Sequence, residues 1–137
     1  MNLALYSLLI FNLLFTQPST IDSYAQQENA LHKKWRIISE ETTYLNPDYS
    51  RHDGFNGRTD YSKSENDTIH FLPAGKFNSF EGNGTYTVSK DSLHMKVMDK
   101  GSSFAYRVTD STLTLSQDYK TTDYLRRITL NLKATEI

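Results

Sequence analysis

The chain has 137 residues, with 15 Lys or Arg against 16 Asp or Glu and a formal net charge of −1. That balance supplies no basic field to hold a nucleic acid and no basic helix to coat a membrane. The chain contains no cysteine, which excludes disulfides, thiolate zinc sites, Cys nucleophiles and a lipid-modified Cys at a cleavage site.

Leu3 to Phe15 is an almost unbroken apolar stretch without a charged side chain. A membrane helix needs roughly 20 apolar residues, so the stretch fits the core of a signal peptide better than a span. Ser23-Tyr24-Ala25 then sets small residues at the −3 and −1 positions before Gln26. Residues 1–25 are expected to be a signal peptide and 26–137 a single β-barrel domain. The protein is expected to be exported, to a bacterial periplasm or the exterior. The alternative is an uncleaved N-terminal anchor. Cleavage removes one acid, Asp22, and no base, leaving a mature chain of zero net charge and no membrane span. In a bacterial export the Asn66-Asp67-Thr68 and Asn83-Gly84-Thr85 sequons are chance matches.

Residues 26–33 suit either one helical turn or a flexible leader. The first strand runs from Trp35, the only tryptophan, to Tyr44. Asn46-Pro47-Asp48 breaks it, since proline lacks a donor and restricts its predecessor. Residues 46–66 are polar and show no clear periodicity, so they read as a long loop, of the kind that is commonly functional or disordered. Asp67 to Leu132 then reads as a run of short strands: DTIHF, KFNSF, GTYTVS, SLHMKVM, SFAYRV, TLTLSQ and YLRRITLNL. Turn chemistry separates them at Pro73–Lys76, Gly82–Gly84, Lys90-Asp91, Lys100-Gly101, Asp110-Ser111 and Lys120–Asp123. Short links imply antiparallel neighbours.

Alternation assigns the faces. One parity carries Trp35, Ile37, Ile69, Phe71, Tyr86 and Val88. It continues through Leu93, Met95, Val97, Phe104, Tyr106 and Val108, then Leu113, Leu115, Ile128, Leu130 and Leu132. The opposite parity carries Arg36, His70, Thr85, Thr87, His94, Lys96, Arg107, Thr114, Thr129 and Asn131. One apolar and one wet face argue for an antiparallel sheet, and no helix in the pattern is long enough to cover it. The sheet must close on itself or pack on another. The expected fold is all-β, an eight-stranded antiparallel up-and-down meander barrel preceded by the signal peptide.

Gly84-Thr-Tyr-Thr-Val and Asp91-Ser-Leu-His-Met, preceded by Asp67-Thr-Ile-His-Phe and Gly75-Lys-Phe, form a distinctive series. Tyr106-Arg-Val-Thr-Asp-Ser-Thr-Leu-Thr-Leu follows it. With Trp35 in the first strand and an Arg in the last, residues 31–133 resemble the lipocalin-like proteins of bacterial exports, which are calycin-type β-barrels. That pattern commonly has a Gly two residues before the Trp, where this chain has Lys33. The resemblance implies a barrel closed at one end and open at the other, which binds small apolar or amphipathic molecules.

Arg126 shares the inward parity of Ile128. A buried guanidinium needs compensation, which stacking on an indole supplies. Trp35 and Arg126 are therefore expected to form a structural cap at the closed end, unless a bulge moves Arg127 into that role or leaves both solvated. The interior aromatics either fill the barrel or line a cup. On the second reading Phe71, Phe77, Tyr86, Leu93, Met95, Phe104 and Tyr106 line it, and Tyr49, Phe55 and Tyr61 of the 46–66 loop form its rim.

Catalytic motifs are lacking: no phosphate loop, no Gly-x-Ser-x-Gly elbow and no His-Glu-x-x-His. His70 and His94 fall on the outer face, where they could neighbour each other without a matched third ligand. Asp53, Asn56 and Asp60 do not have the spacing of an EF-hand. Glu40 and Glu41 face opposite sides of a strand. No enzyme activity, metal or cofactor is expected. The expected function is a monomeric exported binding protein for a small apolar or amphipathic ligand. The alternative is a solid barrel that binds a protein partner through residues 46–66, as an inhibitor or toxin-immunity protein would.

Overall fold

The computed structural model describes residues 20–52, 56–61 and 67–135, with side chains from residue 26 onward. The apolar segment of the expected signal peptide, Leu3–Phe15, lies outside the described residues. Among the described residues a helix, α1 (Thr20–Leu31), precedes nine strands: β1 (Lys34–Leu45), β2 (Gly57–Asp60), β3 (Thr68–Leu72), β4 (Lys76–Ser79), β5 (Gly82–Val88), β6 (Ser92–Val97), β7 (Lys100–Val108), β8 (Thr112–Lys120) and β9 (Leu125–Ala134). No described helix is long and apolar enough to cross a membrane.

From β3 to β9 each strand pairs antiparallel with the next, and β1 pairs with both β3 and β9. This closes an eight-stranded antiparallel barrel, with β2 as an additional short strand. All eight strands expected from the alternation are present. The segment 46–66, expected to be loop throughout, contains β2, which pairs with Ser39–Thr42 of β1. β2 and β3 lie along the same edge of β1. Backbone bonds from Tyr61 N to Ile38 O and from Ile37 N to Asp67 O, both 2.9 Å, flank the break between them.

The barrel is solid at one end. Trp35, Leu31, Leu93 and Leu113 have no exposed surface, and Phe71 and Leu132 retain about 1% each. Each such side chain contributes about 1.5–3 kcal/mol of transfer free energy. Phe71 meets Tyr86 edge-on at 5.0 Å between ring centres, a favoured geometry for aromatic quadrupoles. Helix α1 stoppers this end. Its last residue, Leu31, inserts into the core, and its carbonyl accepts the Trp35 Nε1–H at 3.0 Å. That bond satisfies both the buried indole and one of the helix's terminal acceptors. Tyr106 donates to Gln27 Oε1 at 2.7 Å from the opposite wall.

Two expectations about placement are corrected. His70 is on β3 and His94 on β6, with β4 and β5 between them, so strand spacing alone separates them by about 14 Å. The Trp35–Arg126 cap is absent. In the β1–β9 register Trp35 lies opposite Ala134, whereas Arg126 lies opposite Tyr44 at the other end of the pair. Parity turned Arg126 to the same side as Ile128, but it says nothing about depth along the barrel axis.

Candidate ligand-binding site

At the end remote from α1 the barrel is hollow. The cavity measures about 830 Å³, within the range of small-molecule sites. Phe77 and Ile69 meet it from β4 and β3, Met95 and Phe104 from β6 and β7, and Leu115 and Ile128 from β8 and β9. Phe77 lies 6.2 Å from Phe71 between ring centres, so it joins the solid core to the cavity floor. Its cross-strand partner is Gly84. A Cβ at that position would come within 2.9 Å of the Phe77 ring and would collide with the Lys96 carbonyl.

The interior is therefore divided by depth. Of the seven residues expected to line a cup, Phe77, Met95 and Phe104 do so. Phe71, Tyr86 and Leu93 belong to the packed core beneath it. Tyr106 sits at the α1 end, bonded to Gln27 and, at 3.4 Å, to the Ser89 carbonyl. Among the expected rim residues, Tyr49 and Tyr61 are exposed and do not line the cavity, and Phe55 lies outside the described residues. Tyr86 is held in place by two bonds, donating to Leu72 O at 3.0 Å and contacting His32 Nε2 at 2.9 Å. Burial and, secondarily, the Glu28 carboxylate push its phenol up to about 12.

The cavity reaches solvent through turns with apolar tips. Phe80, between β4 and β5, and Met98, between β6 and β7, are 51% and 87% exposed and both border the opening. The wall is also incomplete there. Pairing between β7 and β8 covers only Ala105–Val108 with Leu113–Ser116, so the mouth-side halves of the two strands diverge. Ser102, Phe104 and Gln117 border both the cavity and an outer, serine-rich concavity of about 570 Å³ at that divergence.

Arg126 belongs to this end. Its guanidinium lies 5.0 Å from the ring centre of Tyr119, its cross-strand partner. Nearby, Tyr44, His52 and Tyr124 form an aromatic group with centroids 5.3–6.5 Å apart. Asn56, one of the oxygens considered for a cation, instead accepts the Tyr44 N–H at 3.0 Å. Asp60 is engaged by Arg58 at 2.8 Å, and Asp53 lies outside the described residues.

Glu40 is a charged lining residue that strict alternation did not turn inward. The β1–β9 register skips Ile38 between Ile37 and Ser39. Such a bulge reverses the parity of everything after it. Ser39, which strict alternation would put on the Trp35 side, pairs instead with Asn131 and receives its amide at 3.0 Å. Glu40, opposite Leu130, turns into the cavity. Its carboxylate accepts the Tyr61 hydroxyl at 3.3 Å. Partial desolvation, then the charges of Glu40 and Asp67, raise the Tyr61 phenol above its ordinary range. The only trace of the bulge in the sequence is the consecutive Ile37-Ile38, an interruption of strict alternation.

The fold and this site define an all-β closed barrel with an interior cup. No family model, curated protein or solved structure matches the chain.

Proposed function

We propose that the protein is an exported, lipocalin-like binding protein that holds a small apolar or amphipathic molecule in the cup, without catalysing its conversion. The observation that carries this reading is the 830 Å³ cavity with its mainly aliphatic and aromatic wall above a packed floor. Sites of that volume, apolar with a few convergent polar groups, are the usual form of small-molecule pockets. The exposed tips Phe80 and Met98 suit a mouth through which an apolar molecule enters. The apolar Leu3–Phe15 segment and Ser23-Tyr24-Ala25 support the reading of export to the periplasm or exterior.

Displacement of a neutral fluorescent naphthylamine probe by medium-chain alcohols tests this function. Saturable one-to-one binding that Leu115→Trp weakens at least tenfold is the expected result, with native mass spectrometry of freshly purified protein as a check for a copurified molecule. Absence of binding by any apolar probe would overturn the reading. It would favour the alternative, recognition of a protein partner through the 46–66 segment, in which Tyr49 and Tyr61 are exposed.

A further inference from the structure

We infer that the cup selects amphipathic cations: the cationic head of the ligand sits against Glu40, and its apolar body lies on the wall formed by Phe77, Phe104 and Ile128. This rests on the reading of the barrel as a small-molecule binder and adds the charge class of the ligand. The bulge at Ile38 turns a carboxylate into an otherwise aliphatic part of the wall, opposite Leu130. Among the described residues no Lys, Arg or His nitrogen lies within 4.0 Å of it; its described partner is the neutral hydroxyl of Tyr61. By contrast, Glu41, the next residue on the outer face, is paired with Arg58 at 3.1 Å.

A carboxylate partly withdrawn from water attracts an ammonium more strongly than it would in bulk solvent. It repels a carboxylate head for the same reason. The other charges bordering the cavity reinforce the sign, since Glu81 and Asp99 lie at the opening against a single Lys100. Arg126 does not itself line the cavity, but its guanidinium stacks on Tyr119, which does, at a point on β9 four residues from Leu130, the partner of Glu40.

Isothermal titration with three ligands of equal chain length tests the inference: decyltrimethylammonium, decanol and decanoate, each below its micellar concentration. The ammonium is expected to bind at least tenfold tighter than the alcohol, and the carboxylate weakest. Glu40→Gln should remove the preference while leaving decanol within about twofold, and Glu41→Gln should leave all three unchanged. Circular dichroism of each variant checks that the barrel is intact, and Glu40→Asp, which keeps the charge, should retain a preference. Equal binding of the three ligands, or preference for decanoate, would overturn the inference and leave the binding function standing. Failure of all three to bind would overturn both.

Discussion

Lys33 Nζ stands 5.9 Å from the centre of the Trp35 ring and donates to the Asp110 carbonyl at 2.6 Å. The cation over the indole is thus two residues away in sequence, and it ties the start of β1 to the β7–β8 turn. A Lys at this position can lay its stem along the apolar floor while its ammonium stays at the surface.

Because Trp35 is the only tryptophan, its fluorescence reports this contact directly. Lys33→Ala should shift the emission and cost about 0.5–1 kcal/mol of stability. Arg126→Ala should leave the emission unchanged, since Arg126 stacks on Tyr119 at the opposite end. Trp35→Ala should cost about 3–5 kcal/mol, as loss of a fully buried large side chain does. An emission shift on mutating Arg126 and none on mutating Lys33 would contradict the register of β1 and β9.

Two glycines separate close approach from ordinary van der Waals contact. A Cβ at Gly84 meets the Lys96 carbonyl and the Phe77 ring, whereas at Gly101 the nearest atom is 3.8 Å away. Gly84→Ala should lower stability in urea unfolding by about 1–3 kcal/mol, the range for overpacking. Because Phe77 is also the cavity floor, the same variant should weaken ligand binding. Gly101→Ala should change stability by no more than about 0.5 kcal/mol.

Tyr86 makes stability depend on alkaline pH. Its folded pKa, about 12, exceeds the ordinary value of 10.0, so the folded state holds its proton after the unfolded chain has released it. The contribution is complete below about pH 10 and is lost as pH rises through the folded pKa near 12. Absorbance titration at alkaline pH should show a phenol titrating near 12 that is missing in Tyr86→Phe. That variant should also lose about 1–2 kcal/mol at neutral pH, because Leu72 O and His32 each lose a bonding partner. Loss of a phenol that titrates near the ordinary value of 10.0, with the late step retained, would show that Tyr86 is solvated.

Asp118 and Arg127 form a two-pronged pair across β8 and β9, at 2.8 and 3.1 Å. Both side chains are partly exposed, at 29% and 38%, so solvent and salt screen them. Asp118→Asn should destabilise by less than about 1 kcal/mol, and the difference from wild type should shrink in 1 M salt. A large, salt-independent loss in chemical unfolding would indicate a buried role for the pair.

The order and number of barrel strands were legible because strand alternation and turn chemistry are local. Phe77, Met95 and Phe104 could be placed in the interior on that basis, and they do border the cup. β2 was not legible: Gly57-Arg-Thr-Asp is polar and exposed on all but its first residue, and it pairs only because Ser39–Thr42 of β1 offers an edge beside it.

What one chain's alternation determines is which side of the wall each residue faces, since successive side chains on a strand point in opposite directions. It carries no information about height along the barrel. Height depends on the stagger between strands, which is a property of the closed sheet. That is why Phe71, Tyr86 and Leu93 are floor rather than cup, and why Arg126 lies at the mouth instead of over Trp35. Where the period slips, even the facing is decided by tertiary structure: one residue without a partner on β9, Ile38, turns Glu40 inward because β1 must keep its bonds to β9 on both sides of the bulge.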